Sequence, residues 1–70
     1  MRDWRTVVGR NVRRLRKAHG RTQEELAFEA KIDVTYLRGI EAGRRNPSLM
    51  VLARIVDKLG ELPTALFRVR

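Results

Sequence analysis

Residues 22 to 47, TQEELAFEAKIDVTYLRGIEAGRRNP, constrain this chain more than any other stretch. Thr22-Gln-Glu-Glu25 has the form of a capping box. The Thr22 hydroxyl can accept from the Glu25 backbone N–H while the Glu25 carboxylate reaches back to Thr22. The helix it opens turns Leu26, Ala27 and Ala30 inward. Lys31-Ile32 forms a tight turn, and Asp33 stands where it can cap a further helix from Val34 to about Ala42. On that helix Leu37 and Ile40 face in, Val34, Thr35, Arg38 and Gly39 lie opposite, and Gly43 ends it. Two short capped helices with so tight a turn leave little freedom in how they cross.

The rest of the chain supplies partners for that pair. Trp4, Val8, Val12 and Leu15 recur every three to four residues, with Val7, Asn11 and Ala18 beside them, and predict a first helix with one buried stripe. Gly20 is its expected left-handed stop. Ser48 can cap a fourth helix whose inward residues are Leu49, Leu52, Ala53, Val56 and Leu59, stopped by Gly60. Pro63 at a first helical position opens a last short helix holding Leu66 and Phe67. No strand signal, internal repeat or linker appears. The expectation is one all-α domain of five helices over residues 1–70, near the lower size limit for a single core.

The sequence has no cysteine, which excludes disulfides and cysteine zinc sites, and its one histidine, His19, cannot hold a metal alone. No cofactor is expected. Catalysis is not expected either, since there is no cysteine nucleophile, no His with a paired carboxylate in a plausible pocket and no glycine-rich phosphate loop. The longest apolar run, Leu49 to Ala53, is far short of the roughly 20 residues that span a bilayer. Sixteen Lys and Arg against eight Asp and Glu give a net charge of +8. A basic compact helical chain points to a polyanion, most simply double-stranded DNA.

From about Val12 to Phe67 the chain resembles the helix-turn-helix family of the phage repressors and Cro proteins, the XRE-like regulators. The likeness is carried by Thr22-Gln23, Leu26-Ala27, Ala30, Ile32-Asp33, Leu37, Ile40-Glu41, Gly43 and Pro47-Ser48-Leu49. Within the family, Asp33-x-Thr-Tyr-x-x-Gly-Ile-Glu41 and Arg45-Asn46 look like the small controller proteins of restriction–modification systems. The resemblance implies a five-helix, lambda-repressor-like fold and a sequence-specific transcriptional regulator. It also implies a homodimer on palindromic operator DNA, in the cytoplasm of a prokaryotic cell or encoded by a phage.

Site residues follow partly from physics. A recognition helix meets base edges with its N-terminal residues. Val34 can press on a thymine methyl, Thr35 offers a hydroxyl, and Arg38 can take a guanine O6/N7 pair or a phosphate. Gly39 removes a side chain, so the backbone can sit close to DNA. Tyr36 has two readings, a DNA contact or a half-buried aromatic at the core edge. Arg44, Arg45 and Asn46 directly follow the helix and are expected to bind phosphate, as are Lys17 and Arg21, the members of the first helix's basic run nearest Gln23. By the resemblance, Gln23 spans from the DNA backbone to the recognition helix, and Arg16 and Glu41 form a partly buried ion pair tying helix one to helix three.

Two residues depart from the family pattern. Lys31 stands where the turn usually has glycine, at a cost of roughly 1 kcal/mol if left-handed. Leu62 stands where a capping Ser or Asp is common, so the last helix is expected to fray. Leu62, Leu66, Phe67 and Val69, in the segment 61–70, are the candidate self-association surface, against the alternative that Leu66 and Phe67 merely close the monomer's core. A second functional reading is an antitoxin-like DNA-binding protein that also masks a toxin. A basic helical protein of RNA or membrane surfaces is a third, though charge alone does not produce the capped framework. No ligand-binding domain is evident, so control by a small molecule is not expected.

Overall fold

A computed structural model describes residues 2–69, so Met1 and Arg70, the two ends of the expected domain, lie outside the described residues. Four α-helices follow one another: α1, Trp4–Ala18; α2, Gln23–Ala30; α3, Val34–Glu41; and α4, Leu49–Leu59. There is no strand among the described residues. The fifth α-helix expected from Pro63 does not form. Pro63–Phe67 is a 3₁₀ helix, and Leu62 before it makes no side-chain cap. With the first N–H groups uncapped and only five residues available, the tighter single-turn form is what the segment reaches.

Each α-helix begins on an oxygen-bearing side chain. Asp3 accepts from the Arg5 backbone N–H, Asp33 from Thr35 and Ser48 from Val51. At α2 both halves of the capping box are present, Glu25 N–H to Thr22 Oγ1 at 3.0 Å and Thr22 N–H to Glu25 Oε1 at 2.8 Å. The first helix gives way to Gly20 at φ 68°, as its sequence suggests. Lys31 ends α2 in the left-handed region, at φ 59° and ψ 45°. It is the only non-glycine residue with positive φ among those described.

The core gathers Val8, Val12 and Leu15 of α1, Leu26, Ala27 and Ala30 of α2, Leu37 and Ile40 of α3, Ile55, Val56 and Leu59 of α4, and Leu66. Four expected inward residues behave differently. Leu49 is 75% exposed, because the first turn of α4 overhangs the core edge; Val51 and Leu52 are only half-buried against the core, and full burial begins at Ile55. Ala53 is only partly buried. Trp4 lies outside the core and packs against Phe67, with ring centroids 6.1 Å apart.

Two packing details fix the site. At Gly9 a Cβ would stand 2.3 Å from the Ile40 carbonyl oxygen, so only glycine lets α1 cross α3 this closely. Buried Asn11 donates through Nδ2 to the Leu66 and Arg68 carbonyls, both at 2.8 Å. That amide fastens the C-terminal segment to α1 and satisfies two backbone acceptors outside the four α-helices.

Candidate nucleic-acid interface

One hydrogen-bonded network joins α1, α2 and α3. Arg16 donates from Nε to Glu41 Oε2 at 2.7 Å and from Nη2 to Oε1 at 3.0 Å, with both residues buried. The Arg16 Nη1 bonds the Arg21 carbonyl at 2.8 Å, fixing the loop between α1 and α2. Gln23 Nε2 donates to Glu41 Oε1 at 3.0 Å, and Gln23 Oε1 accepts from Arg38 Nε at 3.3 Å. Arg38 in turn pairs with Glu24 Oε2 at 3.0 Å. Every charge deep in this network has partners, which is what a buried pair needs to be tolerated. The network holds α3 at one angle to α2 and leaves its outer side chains in solvent.

The candidate reading surface is therefore preformed. Thr35 and Arg38 are exposed on α3, while Val34 and Tyr36 are half-buried and packed against the core edge. Tyr36 accordingly has an apolar ring face against the protein and Arg45 on it, the guanidinium carbon 5.8 Å from the ring centroid.

Gly39 is not open to an approaching duplex. It is buried, and a Cβ there would stand 2.6 Å from Arg45 Cγ. The residue makes room for the Arg45 side chain, which lies back across the recognition helix. This revises the expectation that Gly39 brings bare backbone to DNA. Sequence alone does not reveal it, because the contact depends on how the loop after α3 folds back.

Among the expected phosphate binders, Lys17, Arg44 and Asn46 are exposed and Gln23 is half-buried within the network. Arg21 is ion-paired with Glu29, so its charge is partly spent inside the protein. Glu24 was not among the sequence candidates, yet it neutralises Arg38; its only sequence signal is a carboxylate beside Gln23 in the first turn of α2. The Thr22 backbone N–H holds the Glu25 carboxyl below its ordinary range. Likewise the Arg5 guanidinium lowers that of Asp3, just outside this surface.

The C-terminal candidates divide. Leu66 is fully buried in the monomer and is withdrawn from the self-association surface, because its side chain completes the core beneath α1 and α4. Leu62 at 73%, Phe67 at 47% and Val69 at 47% exposure remain an apolar surface. Among the described residues no cluster of His, Cys, Asp or Glu can hold a metal, and no helix is long and apolar enough to cross a membrane.

Known proteins share this fold. The uncharacterized HTH-type transcriptional regulator y4dJ of Sinorhizobium fredii is 41% identical over 58 residues, covering 83% of this chain and 75% of that protein. The restriction–modification controller protein C.AhdI from Aeromonas hydrophila superposes with a TM-score of 0.87 at 38% identity, covering 90% of this chain and 96% of its own. The controller protein C.Esp1396I, solved as a tetramer in complex with its natural 35 base-pair operator, matches with a TM-score of 0.81 at 31% identity over 91% of this chain and 84% of that one. A helix-turn-helix family model matches residues 12–67. With four-fifths of the chain inside that match and the brace from Arg16 to Glu24 holding its two central helices, this protein belongs to the helix-turn-helix family, in its XRE-like branch of phage repressors and restriction–modification controller proteins.

Proposed function

We propose that this protein is a sequence-specific DNA-binding transcriptional regulator, not an enzyme, acting in the cytoplasm as a homodimer on a two-fold related operator. Its α3 enters the major groove, and within the family it falls with the restriction–modification controllers. The observation that carries this reading is the double hydrogen bonding of Gln23 to Glu41 and Arg38. It fixes α3 against the start of α2, so that Thr35 and Arg38 project together beside the helix start where backbone N–H groups favour phosphate. The match to a controller solved on its operator supports it.

In this arrangement Thr35 and Arg38 read base edges, with Val34 and Tyr36 contributing apolar and hydroxyl contacts at the groove wall. Gln23, Lys17, Arg44, Arg45 and Asn46 bind the flanking phosphates, with Arg21 available only when its pairing with Glu29 opens. Base reading is sparse, so DNA shape and deformability carry part of the specificity. The exposed Leu62, Phe67 and Val69 form the self-association surface.

Selection of bound sites from random duplex DNA tests this reading. It is expected to return two inverted half-sites at a fixed spacing. Recovery of unrelated sequences with no half-site would overturn it.

A further inference from the structure

On the far side of α1 from the recognition helix, a cleft of about 370 Å³ lies between that helix and the C-terminal segment. Arg2, Arg10, Arg14 and Arg68 line it, and Asp3 is its one carboxylate. Asp3 is already occupied by Arg5, at 3.2 Å. None of the four lining arginines is ion-paired among the described residues. The cleft also has an apolar wall, from Val7 and Val69.

Arg14 makes the cleft more than a charged surface. Its Nη2 donates to Asn11 Oδ1 at 3.0 Å, and Asn11 is itself fixed by the Leu66 and Arg68 carbonyls. This anchors the guanidinium. Its Nε is buried and, among the described residues, has no hydrogen-bond partner. A buried donor without an acceptor is costly, and four cations facing one cavity repel one another. An anion placed in the cleft relieves that repulsion and can accept from the outer guanidinium nitrogens. No residue of α2, α3 or the loop 42–47 lines the cleft, although its Thr6 lies against Gly43 of that loop.

We propose that this cleft binds a compact small molecule carrying two or more anionic oxygens, phosphate or carboxylate, on a body small enough to rest against Val7 and Val69. The volume falls within the range of small-molecule sites. Arg10, Arg14 and Arg68 bind the anionic groups, and occupancy clamps Arg68 and Val69 onto α1, next to exposed Phe67. This runs against the expectation from sequence that no small-molecule ligand binds, an expectation blind to a site that joins residues more than fifty positions apart. The inference does not depend on the DNA reading, and it shares Val69 with the proposed self-association surface.

The chain carries its own reporter. Trp4 is its single tryptophan, with Arg2 of the cleft 5.9 Å from its ring centroid. The full chain, free of DNA, is titrated in about 150 mM salt, where diffuse charge effects are screened. One arm uses pyrophosphate and the other citrate, read by Trp4 fluorescence and by calorimetry. Saturable binding of one molecule per chain with a dissociation constant below about 1 mM is expected for at least one, and the arm that binds identifies phosphate or carboxylate as the source. Arg10→Gln and Arg14→Gln, each first shown to keep a cooperative melt, are expected to weaken it more than about tenfold. Arg13→Gln, an exposed α1 arginine outside the cleft, is expected to change it less than about twofold. No saturable binding in either arm would overturn the proposal. So would equal losses in all three variants, or binding of duplex DNA alone at Arg10 and Arg14.

Discussion

Arg16 and Glu41 meet in two parallel hydrogen bonds of 2.7 and 3.0 Å, their side chains only 9% and 2% exposed. The pair ties α1 to the end of α3, and Glu41 also accepts from Gln23. Removing one partner strands a buried charge. Glu41→Ala is therefore expected to cost about 3–5 kcal/mol, which lowers the melting temperature by more than about 10 °C in a domain this small. An unchanged melting temperature would show that the pair does not brace the fold.

Arg38 of α3 and Arg45 of the loop after it are held differently. Arg38 is fixed by Gln23 and Glu24, whereas Arg45 arches over Gly39 to the Tyr36 ring. Arg38→Ala is expected to relax preference at one base position by about 1–3 kcal/mol. Arg45→Ala is expected to weaken all sequences alike. Measured affinities for a panel of single-base operator variants separate the two, and an exchange of the two effects would assign base reading to Arg45.

Lys31 holds a left-handed backbone without the glycine that tolerates it. Lys31→Gly is expected to stabilise the protein by about 1 kcal/mol, since the side chain is exposed and the steric penalty disappears. Denaturant unfolding gives the answer. A loss of stability would mean that the lysine side chain compensates for its strained backbone.

Glu25 gives stability a pH dependence. Its carboxyl is held below its ordinary value of 4.5 in the folded chain by the Thr22 N–H. The unfolded chain therefore binds the proton first as pH falls. The contribution is complete above that ordinary value and is lost as pH drops through the lower, folded one. Glu25→Gln keeps a side chain that can complete the capping box but cannot titrate. Its melting temperature is expected to fall less steeply than that of the parent between about pH 5 and pH 3. Identical acid profiles would remove Glu25 from the account.

What the sequence made legible was local or framed by helical period. Thr22, Asp33 and Ser48 are caps because a short oxygen-bearing side chain reaches a backbone N–H two or three residues on, a relation contained in the sequence itself. Leu26, Leu37 and Ile40 fall inward for the same reason of period. Legibility stopped where distant segments meet. Leu49 and Ile55 both satisfy a helical stripe, and only the placement of α4 against α2 decides which is buried. Asn11 reads as a polar break in α1 until the Leu66 and Arg68 carbonyls arrive. Gly39 reads as open backbone until the loop brings Arg45 across it.

The central claim, that α3 reads specific duplex DNA while surrounding cations hold the backbone, is tested most directly by binding isotherms over a range of salt concentrations. Selected operator and scrambled duplexes of equal length are compared. Contacts to about four to six phosphates per dimer predict a log–log slope of roughly −4 to −5, with the operator preferred throughout. Equal affinity for both duplexes at every salt concentration would contradict it.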